Sequence, residues 1–213
     1  MDLGKKLSAI FIGLFLSVAV FANGTVFQAK ELYNEMKLNG LIKYDVFVQG
    51  VEGFNKIDKK EKNILTIVDF SLPSTEKRMY VLDLEKKELL FKSYVSHGKN
   101  TGDLYAESFS NAAESNKSSL GFFMTEAPYK GSNGLEKGIN DNAMKRNIVV
   151  HGADYANPEI IKTSGRLGRS FGCFAVPEDM NNEIIDAIKG RSIIYVYADK
   201  LKLAKERYVS LNL

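Results

Sequence analysis

From Thr25 onward the apolar positions recur first at helical spacing and then at strand spacing. Ala29, Leu32, Tyr33 and Met36 predict a helix between Thr25 and Leu38, with Gly40 placed to end it. Tyr44, Phe47, Val48 and Val51 repeat the spacing, with Gly50 and Gly53 interrupting it, so the opening reads as a short helical lead-in. The charged stretch Asn55 to Asn63 reads as a solvated connection. Strand character follows. Ile64 to Phe70 and Arg78 to Leu84 are rich in β-branched and aromatic residues, and Pro73-Ser74-Thr75 supplies the turn between them. Glu88 to Val95, Leu120 to Thr125 and Asn147 to His151 read as three more strands. Ser192 to Ala198 is the last, with Ile193, Tyr195 and Tyr197 alternating against Ile194 and Val196. A helix is predicted from Glu178 to Lys189, with Pro177 before it and Gly190 as its stop. The class is mainly β with a few helices. Two long polar stretches, Ser96 to Ser119 and Lys130 to Asn142 with Gly131, Gly134 and Gly138, bracket the strand carrying Leu120 and Gly121. Loops of that length are usually functional or disordered.

Ahead of these elements, Lys5 and Lys6 precede an almost unbroken apolar run from Leu7 to Phe21, followed by Ala22, Asn23 and Gly24. That is the pattern of a secretory signal, with Val20 and Ala22 suited to cleavage after Ala22. The run is shorter than the ~20 residues a spanning helix needs. Export to the periplasm or cell envelope is expected. The formal net charge is +3, and the leader carries two lysines and one aspartate, which leaves +2 on the mature chain. No long basic block occurs, so nothing in the charge argues for a nucleic-acid partner. At 45% hydrophobic and 26% charged residues the composition is that of an ordinary globular protein.

The chain has one cysteine, Cys173, and two histidines, His97 and His151. A lone thiol in an exported protein is a liability, since it can pair between molecules or be oxidised. It can equally be a buried small hydrophobe. His151 ends the apolar strand Ile148-Val149-Val150 and is followed by Gly152. Cys173 lies 22 positions later, in Gly168-Arg169-Ser170-Phe171-Gly172-Cys173-Phe174. A strand end followed by glycine places a side chain at a sheet rim, and small residues before a cysteine let backbone N–H groups approach a bound carbonyl. A thiol, an imidazole and backbone donors are the parts of cysteine acyl transfer. Zinc would need every cysteine and histidine in the chain to reach three ligands, so no metal and no cofactor are expected.

His151-Gly152 followed by Ser170-x-Gly172-Cys173 resembles the active-site signature of YkuD-type L,D-transpeptidases, in which a histidine precedes Ser/Thr-His-Gly-Cys. The murein L,D-transpeptidase catalytic domains are similar further along the chain. The shared blocks are Ile67-Val68-Asp69-Phe70-Ser71, Ser96-His97-Gly98 with Asn100-Thr101-Gly102, Phe109-Ser110-Asn111, Ser118-Ser119-Leu120-Gly121 and Gly165 to Ser170. The common histidine before Gly-Cys is Phe171 here, Phe174 stands where that subgroup has proline, and Gly131 to Glu136 is shorter. The resemblance, which covers roughly Phe27 to Ala198, implies a β-sandwich; with the leader and the helical spacing it divides the chain into 1–22 as signal peptide, 23–62 as helical lead-in and linker, and 63–213 as an L,D-transpeptidase-like catalytic domain. It implies Cys173 as the acylated nucleophile, His151 as general base, and the Gly172 and Cys173 N–H groups as oxyanion hole. The implied partner is a peptidoglycan stem peptide, and the acceptor is an amine, a wall-attached protein or water. Water would make the protein an L,D-carboxypeptidase, and a non-catalytic wall-binding module is the third reading. Arg166 and Arg169 read either as clamps for a substrate carboxylate that also favour the thiolate, or as solvated loop arginines. Ser170 and Gly152 are candidates for substrate contact, Ser170 equally for holding the loop. His97 is either a rival base or a structural hydrogen-bonding group.

Overall fold

The computed structural model describes residues 27–127, 143 and 145–199. The leader from Met1 to Ala22 and the stretch from Lys130 to Asn142 lie outside the described residues. In chain order the elements are α1 (Ala29–Glu35), α2 (Tyr44–Lys56), β1 (Ile64–Asp69), β2 (Met79–Asp83), β3 (Glu88–Ser93), β4 (Gly121–Met124) and β5 (Val150–Gly152). A 3-10 turn (Asp154–Ala156) follows, then α3 (Glu159–Ser164), β6 (Phe174–Val176), α4 (Glu178–Ile188) and β7 (Ile193–Tyr197).

Five strands form one mixed sheet in the order β3-β2-β1-β7-β4. β1 runs antiparallel to β2 and parallel to β7, and β4 closes the other side antiparallel to β7. Both faces of the central strands are covered, so β1, β2 and β7 are buried along their whole length. On one face Ile193, Tyr195 and Tyr197 share an apolar cluster with Leu65, Ile67 and the helix residues Val46, Phe47, Val51 and Phe54. On the other, Ile194 and Val196 join Val68, Val150, Phe174, Ile184 and Ile188. The period-two alternation in β7 thus divides two cores, each side chain contributing roughly 1.5–3 kcal/mol on full burial.

Gly50 and Gly53 do not interrupt the second helix, which runs through both. They permit contact. A Cβ on Gly50 would sit 3.2 Å from the Tyr195 ring, and one on Gly53 only 2.0 Å from Phe122. Helix α2 therefore lies closer to the sheet than residues with side chains would allow, which outweighs the poor helical propensity of glycine.

The second layer is a two-stranded parallel pair, β5 with β6, together with α4. The sequence pattern predicts neither β6, α3 nor the 3-10 turn. Three residues, Phe174–Val176, carry too little pattern to show as a strand, and only pairing with β5 makes them one. Ser96 extends the pair on the far side of β6 by a bridge to Ala175.

The long segment from Ser96 to Ser119 is irregular, held by hydroxyl bonds in place of a ladder. Ser118 Oγ accepts from Gly98 N at 3.0 Å, and Thr101 Oγ1 accepts from Ser118 N at 2.8 Å. This segment crosses the layer that holds the site.

Candidate active site

In the β5–β6 register His151 lies opposite Ala175. Side chains two apart on a strand share a face, so Cys173 and Ala175 point the same way as His151, away from the core reached by Val150, Phe174 and Val176. Cys173 precedes β6 directly and is half-buried, with Sγ 3.5 Å from Asn147 O. Strand pairing brings these two sequence-distant residues onto one face.

The imidazole of His151 has a defined tautomer. Nδ1 lies 2.9 Å from Gly152 O, and a carbonyl can only accept, so in the neutral ring Nδ1 carries the proton. Nε2 is left with its lone pair, 3.5 Å from the Tyr155 hydroxyl. The phenol stays protonated, its pKa pushed up to about 12 by burial, then by Cys173 and Asp154.

The turn before Cys173 is tied internally by Ser170. Its buried hydroxyl donates to Cys173 O at 2.7 Å and accepts from Gly172 N at 3.0 Å. The Gly172 amide expected in an oxyanion hole is thus engaged with Ser170. Gly172 has φ +123°, and a Cβ there would meet Lys117 O at 2.9 Å and the Arg146 guanidinium at 3.0 Å. Only glycine fits both the conformation and the space.

Other expected residues take structural places. Arg166 Nε and Arg169 Nη1 both reach Asp103 Oδ1, at 2.9 and 3.0 Å, so the carboxylate they clamp is the protein's own. A Cβ on Gly152 would lie 3.0 Å from Asn181, which makes that glycine a packing position against α4. His97 is buried behind the site, with Nδ1 accepting from Arg78 Nη2 at 2.9 Å and Nε2 3.3 Å from Gly102 O. Burial, then the Arg78 guanidinium, lowers its pKa to about 4, which keeps it neutral. Through its backbone it still serves the site, since His97 O accepts from Ser170 N at 2.9 Å. Phe171, two residues before Cys173, is 70% exposed, with Lys99 Nζ 4.4 Å over its ring.

Three residues around the site are not predicted by the sequence pattern. Arg78 is fully buried, donates to Val95 O and Leu72 O, and lies against Phe70. Arg146 donates to Ser110 O, Ser119 Oγ, Ser115 Oγ and Lys117 O, pinning the long polar segment beside Gly172. Burial lowers its pKa, and the negative charge available at Cys173 opposes that. Tyr155 packs on Ala153, Ala156 and Ala175. An arginine directly before an apolar strand was the one visible signal, and Tyr155 carried none beyond its place four residues after His151. Among the described residues no group of three His, Cys, Asp or Glu side chains could hold a metal ion.

Residues 38–197 match the model of a family described as L,D-transpeptidase catalytic domain. Among solved structures the chain is similar to an L,D-transpeptidase from Mycobacterium smegmatis, at 16% identity over 64% of this chain and 59% of that one, with a TM-score of 0.39. The L,D-transpeptidase LdtMt1 in complex with imipenem is similar at 16% identity over 63% and 59%, TM-score 0.39. An L,D-transpeptidase from Xylanimonas cellulosilytica DSM 15894 is similar at 14% identity over 78% of each chain, TM-score 0.39. The match spans less than two thirds of the first two of these structures. No curated protein matches the chain.

Proposed function

The chain belongs to the L,D-transpeptidase catalytic domain family, and from that premise we propose that it is an exported cysteine acyltransferase acting on peptidoglycan stem peptides. The observation that carries this reading is the placing of Cys173 and His151 on one face of the β5–β6 pair, with His151 Nδ1 tied to Gly152 O. That tie leaves Nε2 as the proton acceptor, and the thiolate is the attacking form.

Cys173 Sγ attacks the carbonyl at the L-centre of the stem peptide's diamino acid as His151 Nε2 takes the thiol proton. The tetrahedral oxyanion is met by the Cys173 N–H and by the Gly172 N–H, once the anion replaces Ser170 Oγ as its acceptor. Collapse expels D-alanine, whose amine receives the proton from His151, and leaves a thioester on Cys173. An incoming amine resolves the thioester into a cross-link, and water resolves it into a free carboxylate. Phe171 offers the substrate an apolar wall where the commoner pattern has histidine. Export follows from Lys5-Lys6 and the apolar run after them, with the mature chain starting at Asn23.

Intact-mass spectrometry of the protein incubated with a purified tetrapeptide stem tests the reading. The expected species is the protein plus the peptide less D-alanine, absent from Cys173→Ala and slow to form in His151→Ala. An adduct that persists in Cys173→Ala, or none in the wild type, refutes it. Adding an acceptor amine separates cross-linking from hydrolysis in the same experiment.

A further inference from the structure

Tyr155 occupies the one side of the His151 ring on which the lone pair is exposed. Its hydroxyl lies 3.5 Å from Nε2, and the two rings meet edge to face at 73°, with centroids 6.4 Å apart. Because Nδ1 donates to Gly152 O, Nε2 can only accept in the neutral ring, so this contact runs from the phenol to the imidazole. The phenol also lies within electrostatic reach of Cys173. Its backbone is fixed at the same place: Gly168 N donates to Tyr155 O at 2.7 Å, and a Cβ on Gly168 would come within 2.5 Å of Tyr155 Cβ. The turn that leads to the cysteine thus grips the residue that meets the histidine.

Resting on the Cys173–His151 reading, we infer that Tyr155 is a further catalytic residue, whose hydroxyl caps the Nε2 lone pair in the resting site and gives it up when Nε2 takes the sulfur's proton, turning its hydrogen bond to the thiolate. In the first step the phenol's hydrogen bond leaves Nε2, the Sγ–H bond breaks and an Nε2–H bond forms on the freed lone pair, while the phenol keeps its own proton. Nε2 then has no lone pair to offer, and the strongest acceptor nearby is the sulfur anion. A phenol that remains protonated across the working range can make that exchange; a carboxylate there would disfavour the thiolate.

The packing of the ring on Ala153, Ala156 and Ala175 is a structural role that predicts otherwise, and Tyr155→Phe separates the two because it keeps the ring. The expected outcome is an unchanged thermal midpoint with an alkylation midpoint for Cys173 raised by about half a pH unit. The rate of acylation at saturating stem peptide should fall about tenfold, with KM within about twofold. Replacing Tyr155 with 3-fluorotyrosine keeps the shape, makes the hydroxyl a stronger donor, and should move the alkylation midpoint downward. A wild-type midpoint and rate in Tyr155→Phe, or no downward movement with 3-fluorotyrosine, overturns the inference. If the wild-type protein forms no acyl adduct, the Cys173–His151 reading itself fails; if it does while Tyr155→Phe is indistinguishable from it, only Tyr155 is misassigned.

Discussion

Acid should destabilise this protein through His97, and His97→Gln isolates the effect. His97 is buried, its Nδ1 accepting from the Arg78 guanidinium, so a proton on that nitrogen would face a cation at 2.9 Å. Its folded-state pKa is about 4 against an ordinary value of 6.5. The folded value is the depressed one, so as pH falls the unfolded chain takes up the proton first. The contribution is therefore complete above pH 6.5 and lost on descending toward pH 4, at up to ~1.4 kcal/mol per unit and about 3 kcal/mol in all. That is a large share of the ~5–15 kcal/mol that stabilises most domains. Glutamine keeps an acceptor for Arg78 and a donor for Gly102 O but does not titrate. Urea unfolding of wild type and His97→Gln at intervals from pH 7.5 to 4.5 gives the difference in stability, in which titrations common to both proteins cancel. Wild type should lose ground to the variant steadily below pH 6.5. A difference that stays flat across this range would mean that His97 is solvated or already protonated, and the buried Arg78–His97 contact would have to be abandoned.

Three further outcomes follow from the site. Ser170→Ala leaves Gly172 N and Cys173 O without the hydroxyl between them, so chemical denaturation should show a loss of about 2–4 kcal/mol; a loss below about 0.5 kcal/mol would show that the turn does not depend on Ser170. Arg146→Gln removes a cation near Cys173 and the anchor of Ser110, Ser115, Lys117 and Ser119, so the alkylation midpoint should rise and proteolysis within 110–119 should quicken, as rate–pH profiles and limited digestion would reveal. Gly168→Ala places a methyl group against Tyr155 Cβ and O, so acylation should slow by an order of magnitude or more; a wild-type acylation rate in this variant would contradict the contact.

Amino-acid order alone determined the class and singled out the candidate pair, Cys173 and His151. The alternation of Ile193, Tyr195 and Tyr197 with Ile194 and Val196 already encoded a strand buried on both faces, because strand geometry sends successive side chains to opposite sides. The spacing of His151 and Cys173, with Gly152 and Gly172 beside them, marked the candidate parts of an acyl-transfer site. Tertiary structure decided where those side chains lie and what they touch. Gly50 and Gly53 are breakers by propensity, yet they became the contact of α2 with the sheet, since packing outweighs a preference of about 1 kcal/mol. Phe174–Val176 is a strand only because β5 lies beside it. Arg166 and Arg169 were free to meet a ligand in sequence, and the fold gave them Asp103. Arg78, Arg146 and Tyr155 meet His97, Gly172 and His151 across the chain, and no local pattern records such contacts. Periodicity is a property of neighbours along the backbone, whereas hydrogen-bond partners and electrostatic neighbours are fixed only when distant segments pack together.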